Sequence, residues 1–482
     1  FDISAGGNQA IGALNGVGGS NVTLGGNTLT LGGIGNASFA GVIAGTGGLI
    51  KNGAGTQTLD GANTFSGGVT LNMGGLIVGN NTALGTGALS VGGAATLDAD
   101  APVTLANDIS LATGAGLDVL GSNALTLGGV ISGDGSLSKD GSATLTLTGA
   151  DTFTGGTTIN AGTLALGAGG SLLSTGAVTL GGSGTFDISA GGNQSIGSLA
   201  GASGNVNLGG NALSLGGVGN TDFGGVIAGT GSLVKLGTGV QTLSGANTFS
   251  GGIDLDAGGL IVGNNAALGT GALTVDGAAT LDSNSAITLG NNVVLDAGLT
   301  VLGSNALTLG GALSGTGGLT KNGSSLLTLN GANTFTGGLN IGAGTVALGA
   351  GGSLAASGAV NLSGIGAGFD ISAGGNQTIG DLSGVAGSSI SLGTNALTFG
   401  GIADQGFGGI IGGTGSLIKQ GSGTETLTGA NTFTGGLTIG DGTLALGAGG
   451  SLAATGAVNL SGAGAGFDIS AGGNQTIGDL SG

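Results

Sequence analysis

The pentapeptide GA[N/D]TF occurs five times, and its spacing constrains the fold more than any other feature of the chain. The copies begin at residues 61, 149, 245, 331 and 429. Shorter and longer intervals alternate, and the interval from the first copy to the third equals that from the third to the fifth. Self-similarity at a fixed period indicates a repeat architecture, in which every unit buries its apolar face against its neighbours.

A second marker divides the chain into superrepeats. The segment FDISAGGNQ begins at Phe1, Phe186, Phe369 and Phe467. The last interval is shorter than the others by about one block, as if one block had been deleted at the GANTF motif. We therefore predict a single continuous solenoid segment over residues 1–482, built from the following parts: superrepeat 1–185, superrepeat 186–368, shortened repeat 369–466 and partial repeat 467–482.

Short apolar runs bounded by glycine and small polar residues predict an all-β fold. Similar triplets recur about every 20 residues, as at 157–159 and 177–180, which is typical of the rungs of a parallel β-helix, or β-solenoid. The 124 glycines disfavour helix, and we expect glycine and asparagine at corners that need positive φ. A β-propeller is the alternative fold, but its usual aromatic or Trp-Asp signatures are absent.

Composition excludes several classes of function. The chain has no His, Cys, Arg, Trp or Tyr and a formal net charge of −18, so it lacks the basic patch and stacking aromatics that nucleic-acid binding needs. Serine–histidine and cysteine–histidine catalysis cannot be assembled from these residues. We therefore predict that the chain is not an enzyme and has no catalytic, cofactor-binding or metal-binding residues.

Two carboxylate pairs are the only candidates for catalysis. Asp98 with Asp100, and Asp254 with Asp256, are separated by one residue, and each pair would share one face of a strand. The positions one superrepeat after the first pair are Asp282 and Asn284, so the pair is not repeated. We expect solvated residues on the outer face.

Two residue types recur at fixed positions of the repeat and are predicted to be structural. Every lysine precedes the phenylalanine of its motif at the same spacing. We expect the phenylalanines in the core or stacked at corners. The lysines could form an electrostatic stripe that pairs with aspartates of neighbouring molecules, but the pattern favours surface turn residues that keep the chain soluble and guard against strand pairing. The positions are Phe65, Phe153, Phe249, Phe335, Phe433, Lys51, Lys139, Lys235, Lys321 and Lys419.

Ligand motifs are weak. The glycine- and aspartate-rich nonapeptide that lines calcium sites in β-helices is absent, so we expect no cofactor beyond weak Ca²⁺ at surface aspartates. The threonines of TLTLTG at 144–149 suggest an ice-binding array, but threonine alternating with leucine is also typical of a half-buried strand. The glycine-rich loops do not precede a helix, as phosphate-binding loops do.

The segments at 149–167, 331–349 and 429–447, such as GANTFTGGLTIGDGTLALG, closely resemble the autotransporter-associated β-strand repeat. The copies at 61 and 245 depart from it after GANTFSGG. The resemblance implies a right-handed parallel β-helix in the passenger region of a bacterial protein secreted by the type V route. It also implies a signal peptide and a C-terminal translocator outside this segment, which would make any membrane contact.

The predicted function is an extracellular structural or adhesive rod on the bacterial outer cell surface, with a role in adhesion, biofilm or surface fibres. Its partner would be a host or neighbouring cell surface, or copies of itself. A self-assembling extracellular filament is the alternative function. A polysaccharide-active β-helix enzyme is a minor one.

Overall fold

The computed structural model describes residues 1–482, which form two compact units, Phe1–Gly251 and Gly252–Gly482. Both units consist of short parallel strands and contain no helix. None of the chain forms a helix with the length and hydropathy that a membrane span requires.

The first unit contains thirty strands, most of them three or four residues long. Their bounds are β1 (Gln9–Ile11), β2 (Asn21–Gly25), β3 (Leu29–Leu31), β4 (Ala37–Phe39), β5 (Val42–Gly45), β6 (Leu49–Lys51), β7 (Thr56–Leu59), β8 (Val69–Leu71), β9 (Gly74–Val78), β10 (Leu89–Val91), β11 (Ala94–Ala99), β12 (Val103–Leu105), β13 (Ile109–Leu111), β14 (Gly116–Val119), β15 (Leu125–Leu127), β16 (Ile131–Gly133), β17 (Ser136–Lys139), β18 (Thr144–Leu147), β19 (Thr157–Ile159), β20 (Thr163–Leu166), β21 (Ala177–Leu180), β22 (Thr185–Asp187), β23 (Gln194–Ile196), β24 (Ser198–Ala200), β25 (Asn205–Asn207), β26 (Leu213–Leu215), β27 (Thr221–Phe223), β28 (Val226–Ala228), β29 (Leu233–Lys235) and β30 (Val240–Leu243).

The second unit contains twenty-eight strands of similar length. Their bounds are β31 (Ile253–Leu255), β32 (Gly258–Val262), β33 (Leu273–Val275), β34 (Ala279–Ser283), β35 (Ile287–Leu289), β36 (Val293–Leu295), β37 (Leu299–Val301), β38 (Leu307–Leu309), β39 (Leu313–Ser314), β40 (Leu319–Lys321), β41 (Leu327–Leu329), β42 (Leu339–Ile341), β43 (Thr345–Leu348), β44 (Val360–Leu362), β45 (Gly368–Asp370), β46 (Gln377–Thr378), β47 (Leu382–Gly384), β48 (Ser389–Ser391), β49 (Leu397–Phe399), β50 (Gln405–Phe407), β51 (Ile410–Gly412), β52 (Leu417–Lys419), β53 (Thr424–Leu427), β54 (Leu437–Ile439), β55 (Thr443–Leu446), β56 (Val458–Leu460), β57 (Gly466–Asp468) and β58 (Leu480–Ser481).

Parallel pairing between successive turns makes each unit a β-solenoid. In the first unit the turn β13–β14–β15 is followed by β16–β17–β18, and each strand pairs in parallel with its equivalent in the next turn. The main sheets of this unit run β1-β3-β6-β8-β10-β13-β16, β4-β7-β9-β11-β14-β17-β19-β21-β24 and β12-β15-β18-β20-β22-β25-β28. The predicted β-solenoid fold is confirmed, and parallel pairing is incompatible with the propeller.

The second unit repeats this arrangement. Within it the sheets run β31-β33-β36-β39, β32-β34-β37-β40-β42-β44-β47-β50-β53-β55-β57, β35-β38-β41-β43-β45-β48-β51 and β46-β49-β52-β54-β56-β58. The predicted rung length is confirmed by the register, since Ile287 faces Leu307 and Leu307 faces Leu327. The superrepeat boundaries remain a prediction.

The strand sequences explain the core. In a three-residue strand such as Leu307–Thr308–Leu309, the two leucines point inward and are buried, whereas the threonine faces outward. Equivalent leucines stack on the leucines of the next rung, so the interior consists of columns of aliphatic side chains. The expectation of positive φ at asparagine corners is wrong, because every residue with positive φ is a glycine.

Close backbone approach explains other glycines of the repeat. At Gly61, an added Cβ would lie 1.7 Å from the carbonyl oxygen of Gly41 in the preceding rung. Gly68 instead has a φ of 79°, a conformation that costs little only for glycine.

Candidate functional site

The repeated GA[N/D]TF motif forms a corner of its rung. Here the chain runs along one side of the solenoid without forming a three-residue strand. Around Phe65, alternate backbone N–H groups bond to the rung below. Thr64 donates to the carbonyl of Ile43 at 2.9 Å and Ser66 to that of Gly45 at 3.0 Å. The five motif phenylalanines are all buried, with exposed fractions between 0% and 3%, so the corner is closed by an aromatic side chain that points into the core.

At the corners of Asn63 and Asn333, a buried asparagine bonds to the rungs on both sides. The Oδ1 atom of Asn63 accepts a hydrogen bond from the backbone N–H of Ile43 at 2.8 Å, and its Nδ2 donates to the carbonyl of Ala83 at 2.6 Å. Asn333 makes the same two bonds, from Leu313 and to Ser353. The side chain thereby satisfies backbone groups that lack a strand ladder.

The second copy carries Asp151 at the asparagine position. Its Oδ1 accepts the N–H of Ile131 at 2.8 Å, but its Oδ2 is buried without a hydrogen-bond partner. Burial raises the pKa of Asp151 to about 7, and the hydrogen bond from Ile131 opposes this effect.

The five lysines are core residues, so the expectation of surface turn residues is wrong. Their exposed fractions lie between 0% and 4%, and each is the last residue of a strand. Lys51 points inward in register with Leu31 below and Leu71 above. The physical reason is that the alkyl chain of lysine fills an aliphatic column while its ammonium group reaches backbone carbonyls.

Each lysine ammonium bonds to carbonyl oxygens at the corner that follows its strand. Lys321 Nζ donates to Asn322 at 2.6 Å, to Gly323 at 2.7 Å and to Ala343 of the next rung at 3.4 Å. Burial lowers the pKa of all five lysines. With the lysines buried, the chain has no exposed cationic side chain.

Successive copies of the lysine position lie in different sheets. Lys51 ends β6 in the sheet that starts with β1, whereas Lys139 ends β17 in the sheet that contains β4. Because these two residues lie on different sides of the first unit and are buried, they cannot form the electrostatic stripe that was the alternative interpretation.

The first carboxylate pair is divided between a buried structural carboxylate and an exposed one. Asp98 is only 8% exposed, accepts a hydrogen bond from Ser122 Oγ at 2.5 Å and caps the backbone N–H groups of Ala99 and Ser122. The expectation that Asp98 is solvated is therefore wrong, while Asp100 is exposed. Asp282 binds Ser304 in the same way, which makes this arrangement a repeated structural element.

The second pair lies on partly exposed positions. Asp254 and Asp256 are half-buried, and burial together with the charges of Asp276 and Asp256 raises the pKa of Asp254. In residues 1–482, no three His, Cys, Asp or Glu side chains converge on a potential metal position. The expected weak Ca²⁺ binding at surface aspartates remains a prediction.

A groove that sequence reasoning missed lies on the outer face of the sheet β7-β9-β11-β14-β17. It has a volume of about 480 Å³, with Gly75 between Thr56 and Thr96, and with Asp118 and Ser138 further along the column. Burial and the neighbouring carboxyl group of Asp140 raise the pKa of Asp118 to about 6. The glycine pair in GGLIV at 74–78, between rungs that carry threonine, was the available sequence signal.

These features define a class of protein: a parallel β-solenoid built from internal repeats, with buried lysines. Residues 49–78, 137–166, 233–262, 319–348 and 417–446 match the passenger-associated-transport-repeat family. Each match begins at the first residue of the strand that ends in lysine, or one residue later, and includes the asparagine and phenylalanine positions.

A stretch of 109 residues is 41% identical to the Adhesin BmaC autotransporter of Brucella suis biovar 1 (strain 1330). The stretch is 21% of this chain and 3% of that adhesin, so the chain spans a small fraction of its relative. No solved structure matches the chain. The five repeats and the similarity to the adhesin support an autotransporter passenger region with repeats, and such regions are displayed on the outer bacterial cell surface.

Proposed function

We propose that this segment is a non-catalytic structural and adhesive rod, which holds binding surfaces away from the bacterium and contributes weak repeated contacts of its own. The observation that carries the proposal is the set of five passenger repeats combined with 41% identity to an autotransporter adhesin. Adhesion to a host or neighbouring cell, or a role in biofilm or surface fibres, follows from this function.

Columns of identical outward side chains support multivalent contact. Thr104, Thr126 and Thr146 are in register on three successive rungs of the first unit. Thr288, Thr308 and Thr328 form the same column in the second unit. Weak sites that repeat at each rung increase the total strength of attachment through effective concentration, without any one site of high affinity.

The surface charge narrows the choice of partner. The chain carries 23 acidic residues against five lysines, and all five lysines are buried. An acidic surface without cationic side chains repels nucleic acids and anionic lipids, so neutral, hydroxyl-rich or cationic surfaces are the expected partners.

Beads coated with the purified chain test the proposal. We expect coated beads to attach to cell surfaces more strongly than beads coated with an unrelated acidic protein. A matched variant without residues 331–428 replaces the GANTFTGG motif at 331 with the copy at 429 and shortens the second unit, which removes part of the repeated outer surface. This variant should fold but attach less, and equal attachment by all three types of bead would refute an adhesive role.

A self-assembling extracellular filament is the second candidate, because parallel solenoids expose unpaired strand edges through which chains can add to one another. Electron microscopy of the purified chain distinguishes the two functions. Discrete particles favour the adhesive rod, and continuous fibres that grow with protein concentration favour the filament.

A polysaccharide-active enzyme is the minor alternative. Incubation of the chain with bacterial and host glycans, with and without Ca²⁺, should release no oligosaccharide. Release that is lost in the variant Asp254→Asn would instead assign catalysis to the Asp254 and Asp256 pair.

A further inference from the structure

We propose that Asp151 and Glu425 are proton-binding sites within the core, and that their ionisation as the pH rises loosens the rungs in which they lie. In each case a carboxyl group occupies a position at which other copies of the same repeat carry an amide. The chain thus contains its own reference structures for both sites.

The asparagine position gives the first comparison. Asn333 donates from Nδ2 to the carbonyl of Ser353 at 2.8 Å, and its backbone N–H bonds to the same oxygen at 3.0 Å. Asp151 donates its backbone N–H to Ser171 at 2.9 Å, which reproduces this backbone geometry. Its Oδ2 therefore takes the place of the amide nitrogen next to the carbonyl oxygen of Ser171.

The protonation state decides whether this contact is favourable. Asp151 is 3% exposed, and its Oδ2 has no hydrogen-bond partner. A protonated Oδ2 can donate to the Ser171 carbonyl, as the amide does in the other copies. An ionised Oδ2 has no donor and would face the lone pairs of that carbonyl in a buried position.

The glutamine position gives the second comparison. Gln57 and Gln241 are each 2% exposed, and each donates from Nε2 to buried backbone carbonyls. Examples are the bonds from Gln57 to Leu14 at 2.9 Å and from Gln241 to Thr242 at 3.0 Å. Glu425 is also 2% exposed, but its Oε1 has no partner. The two remaining copies carry Leu145 and Leu327, which shows that the position belongs to the core.

The electrostatic environment agrees with the geometry. Burial raises the pKa of Asp151 to about 7, only the N–H of Ile131 opposes this shift, and no charged side chain contributes to it. Burial raises the pKa of Glu425 to about 8, while Lys419 lowers it and Asp381 raises it. Both carboxyls therefore bind protons more tightly in the folded chain than in the unfolded chain.

The sign of the pH effect follows from proton linkage. Ordinary carboxyls in the unfolded chain lose their protons near pH 4, whereas the folded chain retains these two protons to higher pH. The stabilisation is complete below about pH 4 and is lost progressively up to about pH 7 for Asp151 and about pH 8 for Glu425. The surrounding rungs should then open more readily in alkaline medium than the equivalent rungs around Asn63 and Gln57.

The variants Asp151→Asn and Glu425→Gln test the proposal in the full chain. The urea midpoint of unfolding is measured by circular dichroism at about pH 5 and about pH 9. We expect the urea midpoint of each variant to exceed that of the parent by a smaller margin at the lower pH than at the higher pH, because most of the loss falls between the two values. A difference between variant and parent that does not depend on pH would overturn the proposal.

Asp404→Asn is the matched control, because it changes an acid to an amide at an exposed position. Asp404 accepts the N–H of Thr424 at 2.7 Å, as Asn36 and Asn220 accept those of Thr56 and Val240. Because the chain has a net charge of −18, its stability depends on pH even without the two buried carboxyls. The control variant measures how much the removal of one exposed negative charge changes the urea midpoint. A control shift as large as the shifts of the two buried variants would also contradict the proposal.

The converse variant, Asn333→Asp, introduces the proton site where it is absent. It should fold at about pH 5, and its stability relative to the parent should be lower at about pH 9 than at about pH 5. Equal stability at both values, or failure to fold at the lower pH, would contradict the inference that a protonated acid fits this position.

Discussion

Two kinds of repeat close the corner beyond the phenylalanine in different ways. In the turn-closed repeats, residues 61–85 and 245–269, the chain returns through a turn that buries an alanine and a leucine almost completely, Ala83 with Leu84 and Ala267 with Leu268. In the bridge-closed repeats, residues 149–171, 331–353 and 429–451, it returns through a single β-bridge from Ala150, Ala332 or Ala430 to a serine. In both kinds the asparagine or aspartate side chain bonds to the rung below. The comparison teaches that one side of a rung does not need a β-strand. The side chain of the asparagine or aspartate can make a hydrogen bond to the neighbouring rung that a strand would otherwise make through its backbone.

Phenylalanine truncation should give the largest effect. Phe65→Ala and Phe335→Ala should each destabilise the chain by about 3–5 kcal/mol, through lost burial and the cavity left behind. Phe65→Ala should lie at the upper end, because Phe335 already borders a small cavity of about 10 Å³ with Leu354 and Gly358. Urea unfolding followed by circular dichroism measures both, since the chain has no Trp or Tyr. A larger loss at Phe335 would contradict the tighter closure of the turn-closed repeat.

Lysine replacement should affect both kinds of repeat equally. Lys51→Met and Lys321→Met keep most of the aliphatic volume but remove the donor from buried corner carbonyls, so we expect losses of about 1–3 kcal/mol in each. The same urea titration compares them, with Lys→Arg variants as a test of whether charge alone is sufficient. If either methionine variant is more stable than the parent, the cost of burying the ammonium exceeds the value of its hydrogen bonds.

Asparagine truncation should distinguish the two kinds of repeat. Asn63→Ala removes the donor to Ala83, whereas Asn333→Ala leaves the Ser353 carbonyl bonded to the backbone N–H of residue 333. We expect a loss of about 1–3 kcal/mol for Asn63→Ala, and about 1 kcal/mol less for Asn333→Ala. Equal losses would show that the bond to the rung below, which both variants lose, dominates. Amide hydrogen exchange at Ile43 and Leu313 reports that bond directly.

Glycine substitution should affect the turn-closed repeat more than the segment that follows a bridge-closed repeat. Gly85 has a φ of 67°, and an added Cβ would lie 2.2 Å from the carbonyl oxygen of Phe65. Gly85→Ala should destabilise the chain by about 1–2 kcal/mol, because alanine must adopt the left-handed conformation of this residue. Moving the Phe65 carbonyl away from the new methyl group would add to this loss. Gly358, which follows the bridge-closed repeat 331–353, has no positive φ, and the atom nearest to an added Cβ is 3.3 Å away, so the loss for Gly358→Ala should be smaller than that for Gly85→Ala. A neutral Gly85→Ala would mean that the turn can change its conformation.

Much of the fold could be predicted because the repeat spacing and the strand pattern both indicate a stack of rungs about 20 residues long. The interval between similar triplets set the length of the rung, and alternation in segments such as Leu307–Leu309 assigned the inward face. Handedness cannot be derived from such alternation and came only from the family resemblance. The bridge at Ser171 was not predicted, because one hydrogen-bonded pair leaves no periodic pattern.

The burial of the lysines was missed although a signal was present. Lys51 is the third residue of Leu-Ile-Lys, at the inward position that Leu31 and Leu71 occupy one rung before and after. The prediction of surface lysines followed the general tendency of lysine to be exposed and not this alternation of inward and outward positions. The burial of Asp98 depends on Ser122 in the next rung, and local sequence alone does not indicate such a contact.

The buried lysines have a consequence for digestion. Trypsin-like proteases recognise lysine or arginine in an extended, accessible segment, and this chain has no arginine and five lysines that are at most 4% exposed. The folded chain therefore offers such proteases no accessible cleavage site along its 482 residues. Cutting requires that a rung first opens, so the rate of tryptic cleavage reports how often each lysine-bearing rung leaves the stack.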